Sequence, residues 1–356
     1  MPKSISPRGW FRKRLDENVD KAKSLPNRTG LDITTSSQSL PKQEDDGAVQ
    51  DTHLKVPDLT LQDELGQDKC GLFLLSDEVG QQTPKYNVDI VAVHGLGGDA
   101  YKTWTHDNGK IWLRDFLPTD IPEARVFTYG YNSTLLFSRE TGRVRDYARA
   151  LLEDIRSERT LADEKARPLI FVCHSMGGII VKQALIIANN ESTNYPGFKS
   201  SVSAILFLGT PHRGSPSAEY ADIHFKIANV IITGSQMSRL SGPLRKELVH
   251  SLRTNAKDLL HIAEDFRVHT GTMKIASFIE QQNMRGLNER IVDDISGVTG
   301  ASTERVVPMP GCDHRAICRY GERNSNYKKL LAAVKDGISS SQRIAPSLDG
   351  VVSFPD

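Results

Sequence analysis

The stretch IFVCHSMGGII, residues 170–180, decides how this chain is interpreted. A hydrophobic run ends at Cys173, and a serine, Met-Gly-Gly and a second apolar run follow. This order is typical of a strand–serine–helix turn, which lifts a nucleophilic serine clear of a sheet. The usual pattern is G-x-S-x-G, and Cys173 stands where the first glycine is expected. Cysteine is small enough for such a turn, so the sequence predicts a nucleophile at Ser175 and disfavours an ordinary loop serine.

The regions on either side indicate an α/β protein. Three short runs are almost continuously apolar, namely residues 88–94, 168–173 and 203–209. This pattern is typical of strands in a parallel sheet that is covered on both faces. The predicted strands are residues 71–75, 88–94, 124–131, 168–173, 203–209 and 273–279. An amphipathic helix is predicted from Val144 to Ile155, and the apolar segment 176–188 predicts a buried helix. This alternation predicts a mostly parallel central sheet covered by helices on both faces.

A second glycine-rich stretch, HGLGG at residues 94–98, follows the predicted strand 88–94. One interpretation is an oxyanion loop, in which the N–H groups of Leu96 and Met176 together bind a developing oxyanion. His94 would then orient the loop by hydrogen bonding. The simpler alternative is a glycine turn with a structural role only, beside a buried histidine.

A rival interpretation of the same stretch is dinucleotide binding. Gly95, Gly97 and Ala100 fit the pattern G-x-G-x-x-G/A after a strand, and Asp115 or Asp120 follows about 20 residues on. A single match of this kind is weak. It also leaves the serine turn unexplained.

The general base should follow Ser175 in the chain and come after the last strand, because the triad of this fold runs in the order serine, acid, histidine. His314 meets that condition, since it follows the strand-like segment RVVPM, residues 305–309. His212 comes too early, directly after the strand that follows the serine turn. The sequence therefore predicts His314 as the base.

The acid is predicted to be Glu280, at the carboxyl end of the strand KIASFIE, where a carboxylate would orient the imidazole. Asp293 and Asp294 stay open as alternatives, and a solvated loop pair is their simpler interpretation. Asp313 is adjacent to the predicted base and is expected to be a local turn residue.

Four motifs in order, HGLGG…TW, CHSMGGIIVKQAL, LGTPHRGS and DHRAICRY, resemble the lipase-like serine esterases of the α/β-hydrolase superfamily. The resemblance runs from about residue 70 to 335. It extends to the "serine active site-containing" proteins and to the lipase-like N-terminal domains of fungal NACHT proteins. It implies a catalytic Ser175 and His314, oxyanion donors at Leu96 and Met176, and tolerance of cysteine at position 173.

The expected function is cleavage of a carboxylic ester, of a lipid or another acyl compound, through Ser175, His314 and Glu280 with an acyl-enzyme intermediate. Acyl transfer in phospholipid remodelling and a non-catalytic signalling module are the alternatives. No organic cofactor or metal is expected, since cysteine spacing lacks the paired C-x-x-C of zinc sites. The expected partner is an acyl-ester or lipid substrate, and peripheral membrane contact and a protein partner are left open.

Composition excludes several classes. Charged residues make up 25% and hydrophobic residues 38% of the 356 residues, as in globular proteins. The net charge of +1 implies no general attraction to nucleic acid. The four cysteines, without a secretory signal, indicate reduced thiols and an intracellular, cytoplasmic location. The resemblance adds an association with mitochondria or endoplasmic reticulum.

Three regions are expected along the chain. Residues 1–65 are predicted to be a disordered basic tail and polar linker, residues 66–338 an α/β-hydrolase domain, and residues 339–356 a disordered tail. Within the domain, the helix-prone stretch 216–270 is expected to be an insertion that acts as a lid over an acyl pocket.

Overall fold

The computed structural model describes the larger of two compact units of the chain, residues 58–356, in part. The described residues are 70–76, 86–133, 143–212, 222–223, 225–227, 258–271, 273–285 and 287–342. The predicted N-terminal tail, residues 343–356 of the predicted C-terminal tail and most of the predicted lid lie outside them, whereas residues 339–342, predicted to be disordered, continue the last helix. At the end of the predicted insertion, residues 258–266 are helical.

A seven-stranded sheet forms the centre of the described structure. Its strands are β1 (Gly71–Leu74), β2 (Val88–Val93), β3 (Ala124–Gly130), β4 (Leu169–His174), β5 (Val202–Leu208), β6 (Lys274–Glu280) and β7 (Glu304–Met309). Their spatial order is β1-β3-β2-β4-β5-β6-β7, with β1 antiparallel to β3 and every other neighbouring pair parallel. This is the expected α/β-hydrolase fold, and each predicted strand is present with ends shifted by one residue at most.

Helices cover both faces of the sheet. They are α1 (Trp112–Asp115), α2 (Leu117–Asp120), α3 (Arg143–Glu158), α4 (Ala162–Ala166), α5 (Gly177–Asn190), α6 (Phe198–Ser201) and α7 (Ser325–Gln342). One apolar cluster joins α3 and α5 to the sheet, and a second joins α1, α2 and α7 to the opposite face. Because β2, β4 and β5 are buried on both sides, they carry apolar side chains at nearly every position.

A buried ion cluster holds the amino end of β2. The Asp89 carboxylate is enclosed by the guanidinium groups of Arg125 at 2.9 Å, Arg159 at 3.3 Å and Arg167 at 3.1 Å. The donors come from β3 and from the segments before β4, so the carboxylate ties neighbouring strands together at the end of the sheet opposite the serine turn. Removing it would leave buried guanidinium groups without their counter-charge.

The substitution Asp89→Ala is therefore expected to destabilise the fold by about 3–5 kcal/mol, the usual cost of breaking a buried ion pair from one side. Urea unfolding followed by circular dichroism measures this loss. Asp336→Ala is the control, since Asp336 pairs with Arg305 at the surface and its loss should leave the midpoint nearly unchanged. Equal effects of the two variants would contradict a structural role for the Asp89 cluster.

Candidate active site

Ser175 lies in the turn between β4 and α5 and has a φ of 51°, the one positive φ of a non-glycine residue in the described ranges. Its N–H donates to the Leu208 carbonyl at 3.0 Å, while its own carbonyl accepts the Gly178 N–H at 3.1 Å. The Thr210 hydroxyl donates to the same carbonyl at 3.0 Å. A left-handed conformation costs a non-glycine residue free energy, and these three bonds hold the strained turn in place.

Small residues on both sides allow this turn to pack. A Cβ atom on Gly177 would overlap the Val93 carbonyl oxygen, and one on Gly178 would lie 2.5 Å from the Thr210 side chain. A Cβ atom on Gly95 would lie 2.7 Å from the Cβ atom of Ser175. The start of α5 therefore sits directly against the end of β2 and its glycine loop.

Cys173, at the place of the missing glycine, is a fully buried strand residue. It is in register with Val93 of β2 and Phe207 of β5, and its side chain joins the apolar cluster under α3 and α5. Burial raises the pKa of the thiol, so Cys173 stays protonated. The position requires a small apolar side chain, and the positive φ of the turn is confined to Ser175.

The predicted triad residues come together at the carboxyl ends of the strands. The Ser175 hydroxyl donates to Nε2 of His314 across 3.0 Å, and Nδ1–H of His314 donates to Oε1 of Glu280 across 2.7 Å. All three are buried, with 1%, 4% and 0% of their surfaces exposed. Such a chain of hydrogen bonds fixes the imidazole tautomer that can accept the serine proton.

Glu280 is itself anchored by the backbone. The Ile291 N–H donates to its Oε2 at 3.1 Å and the Val292 N–H donates to its Oε1 at 3.2 Å. A buried carboxylate needs such donors. They leave Oε1 directed at His314.

The three other carboxylates considered as the acid are occupied elsewhere. Asp293 accepts the N–H of Ser296 at 2.7 Å in its own turn. Asp294 pairs with Arg290 at 2.9 Å near the surface. Asp313 accepts the Arg315 N–H at 3.0 Å, as expected for a turn residue.

His94 orients the glycine loop, as expected from the sequence. Its Nδ1–H donates to the Gly95 carbonyl at 2.8 Å, its Nε2 accepts the Tyr131 N–H at 3.3 Å, and its ring stacks on the Tyr131 ring. Burial lowers the pKa of His94 to about 4, so the ring stays neutral near pH 7. Because the peptide is planar and trans, holding the Gly95 carbonyl on one side turns the Leu96 N–H to the other.

The two predicted oxyanion donors are the backbone N–H groups of buried residues. Leu96 and Met176 are buried, and neither N–H has a hydrogen-bond acceptor within the described residues. Buried N–H groups are rarely left this way, so the pair is suited to receive a ligand oxygen. Met176 also precedes α5, whose N-terminal dipole favours negative charge.

The dinucleotide interpretation does not fit this geometry. Its glycines must open a helix. Within the continuously described residues 86–133, the first helix begins only at Trp112. Asp115 accepts the Ile111 N–H, and Asp120 pairs with Arg323, so neither acid is placed for a ribose.

Two residues that support the candidate site were not predicted from the sequence. Gly209, with φ of 55°, leaves room for the triad, since a Cβ atom there would lie 3.2 Å from both Glu280 Oε1 and His314 Nδ1. His174 donates from Nε2 to the His314 carbonyl at 2.8 Å and so joins the serine turn to the base. Gly209 could have been recognised as a glycine at the end of a predicted strand, whereas no local sequence pattern marks His174.

Comparisons with known proteins give the family of the chain. A family described as "PGAP1-like alpha/beta domain" matches residues 89–282. Protein SERAC1 from Danio rerio is 25% identical over 297 residues, covering 75% of this chain and 42% of that protein. Protein SERAC1 from Mus musculus is 26% identical over 233 residues, covering 60% and 33%. The chain thus spans less than half of these curated relatives.

Solved structures were also compared. A soluble variant of monoglyceride lipase from Saccharomyces cerevisiae has a TM-score of 0.44 and 12% identity, over 76% of this chain and 91% of that one. A hydrolase from Oleispira antarctica has a TM-score of 0.41 and 15% identity, over 75% and 94%. Within the described residues, no three His, Cys, Asp or Glu side chains form a metal site, and no helix has the length and apolarity to cross a membrane.

Cys173→Gly is expected to keep nearly all hydrolysis of a short-chain p-nitrophenyl ester, because the site needs only a small side chain. Cys173→Leu should abolish it, because added methylene groups in a close-packed strand displace the turn. Loss of activity in Cys173→Gly would mean that the thiol has a role beyond packing.

His94→Leu is expected to lower kcat for the same ester by about 10²–10³, the cost of one misdirected oxyanion donor. His94→Asn should recover part of the rate, since its side-chain amide can donate to the Gly95 carbonyl. Thermal unfolding of both variants shows whether a lower rate comes from misfolding or from a misdirected Leu96 N–H group. Full activity in a folded His94→Leu variant would contradict the orienting role.

Proposed function

The chain belongs to the PGAP1-like alpha/beta domain family, and we propose that it is a serine hydrolase that cleaves carboxylic esters, those of lipids or of other acyl compounds. The observation that carries the proposal is the continuous hydrogen-bond chain from Ser175 through His314 to Glu280. The buried N–H groups of Leu96 and Met176, which have no acceptor among the described residues, supply the candidate oxyanion donors. Nucleophile, base, orienting acid and oxyanion donors are the parts that acyl transfer requires.

In the first half of the reaction, the Ser175 oxygen attacks the ester carbonyl while Nε2 of His314 takes the hydroxyl proton. The carbonyl oxygen becomes an oxyanion, and the Leu96 and Met176 N–H groups donate to it. Glu280 stabilises the imidazolium that forms, without itself taking the proton. When the tetrahedral intermediate collapses, His314 gives its proton to the departing alkoxide and an acyl-serine remains.

In the second half, water enters and His314 removes one of its protons as the oxygen attacks the acyl-serine. The same N–H pair receives the second oxyanion. Collapse releases the carboxylic acid and returns the proton to the Ser175 oxygen. An alcohol in place of water would give a new ester by the same steps, which is the acyltransferase alternative.

The proposal predicts that Ser175→Ala and His314→Ala each reduce kcat for p-nitrophenyl esters by about 10⁶, leaving only the residual rate that binding and the oxyanion donors supply. Glu280→Gln should lower kcat by about 10³–10⁴, because the imidazole loses the acceptor that sets its tautomer. Steady-state kinetics on esters of graded acyl length measure these losses and also identify the preferred chain. Added alcohols, with product analysis, separate hydrolysis from acyl transfer.

Ser203→Ala is the matched control, since Ser203 is also a buried serine but lies on β5 near its amino end. Its rate should equal that of the wild type. Ester hydrolysis by Ser175→Ala at the wild-type rate would refute the assignment. A folded wild type that is inactive on the entire panel would favour the non-catalytic signalling module.

A further inference from the structure

Two polar residues of the quoted motifs take no part in the triad, Lys182 of CHSMGGIIVKQAL and His212 of LGTPHRGS. The fold brings them together, with Nζ of Lys182 lying 2.6 Å from Nδ1 of His212. Lys182 is 1% exposed on α5, whose other buried residues are all apolar, and His212 is also buried. A buried amine is unfavourable unless it is hydrogen-bonded, and His212 supplies that bond.

The surroundings of the amine are mostly apolar. Nζ lies 5.5 Å from the ring centre of Phe207 and 5.6 Å from that of Phe266. The titratable groups that act on it besides His212 are the Cys173 thiol and the Glu304 carboxylate. Burial lowers the pKa of Lys182 to about 7, and Glu304 opposes this shift only in part.

His212 lies just after β5, and residues 209 and 210 of the same segment support the triad from two sides. Gly209 lies against the Glu280–His314 contact, and Thr210 donates to the Ser175 carbonyl. A shift of this segment would therefore alter both the serine turn and the space in which the imidazole sits.

The backbone of His212 contacts the turn next to the residues that anchor Glu280. Its N–H donates to the Ser296 carbonyl at 2.6 Å. Ser296 belongs to the turn that follows Ile291 and Val292, whose N–H groups hold Glu280. His212 thus contacts α5 through its ring and the anchor of Glu280 through its backbone.

We propose that Lys182 and His212 form a positioning pair, in which the buried amine holds the His212 ring and so fixes the segments that align Ser175, His314 and Glu280. The pair touches no substrate atom. This inference rests on the proposed hydrolase function for its effect on rate, but its effect on triad geometry can be measured without turnover.

The test compares wild type, Lys182→Met, His212→Leu and the double variant in two measurements. The first is the deshielded Nδ1 proton of His314 in NMR spectra, which reports its bond to Glu280. The second is the rate of serine labelling by a fluorophosphonate. Each single variant should weaken the NMR signal and slow labelling by about 10- to 100-fold, the effect of a displacement near 1 Å. Because the two residues act as one unit, the double variant should lose no more than either alone.

Two further variants serve as controls. Lys328→Met, at an exposed position of α7, should match the wild type in both measurements. His212→Asn keeps a side-chain acceptor for Lys182 and should recover much of the signal and the rate. A His212→Asn variant as impaired as His212→Leu would overturn the proposal.

The pH dependence of unfolding tests the buried amine itself and covers the case of a poorly folded variant. An unfolded lysine has a pKa of 10.5, so the unfolded chain binds a proton that the folded chain lacks above about pH 7. The stability of the wild type should therefore rise relative to Lys182→Met from pH 7 to about pH 10. If the difference in unfolding free energy between the wild type and Lys182→Met did not change with pH, the amine would be solvated and the proposal would be overturned.

The outcomes also separate this inference from the proposed function. If the wild type shows the His314 signal but is never labelled, the hydrolase proposal is refuted. The NMR comparison of the variants still tests the Lys182–His212 pair in that case. Lys182→Met with an unchanged signal and labelling within about twofold of the wild type would refute the pair while leaving the hydrolase intact.

Discussion

The left-handed backbone at Ser175 is the constraint on which the rest of the site depends. That conformation is accessible only if the following residues present no side chain to the end of β2, which is why Gly177 sits against the Val93 carbonyl. The same contact brings the start of α5 beside the glycine loop. One strained residue therefore determines where the hydroxyl points and how closely the start of α5 approaches the glycine loop.

The polar groups of the domain divide between two ends of the sheet. At the amino end, the Asp89 carboxylate and its arginines hold neighbouring strands by charge. At the carboxyl end, neutral rings and backbone donors predominate, with His94 orienting one loop and Ile291 and Val292 holding Glu280. The side chains of Ser175, His314 and Glu280 are buried there, so each hydrogen bond among them has more effect on geometry and charge than it would in solvent.

Local pattern was sufficient for the sheet and for two of the site residues. Continuous apolar runs located β2, β4 and β5, because strands covered on both faces leave no polar alternation. Ser175 followed from its turn and His314 from chain order. Glu280 was predicted from its strand end, but only the folded structure separates it from Asp293, because Glu280 accepts from Nδ1 of His314 while Asp293 accepts the N–H of Ser296 in its own turn.

Other features depend on contacts that no local pattern records. Lys182 and His212 lie on different elements, and their approach follows from how α5 packs on β5. The space left by Gly209 has meaning only once Glu280 and His314 are in place. The predicted lid stays a prediction, because most of residues 216–270 lies outside the described structure.

If Ser175 is a nucleophile activated in this geometry, it should form a covalent adduct with a reagent selective for activated serines. The wild-type protein is treated with a fluorophosphonate at neutral pH, digested, and mapped by mass spectrometry. We expect one phosphonyl adduct, on the Ser175 oxygen, which forms much more slowly when His314 is replaced by alanine. An adduct on a different residue, or no adduct on folded protein, would contradict this assignment.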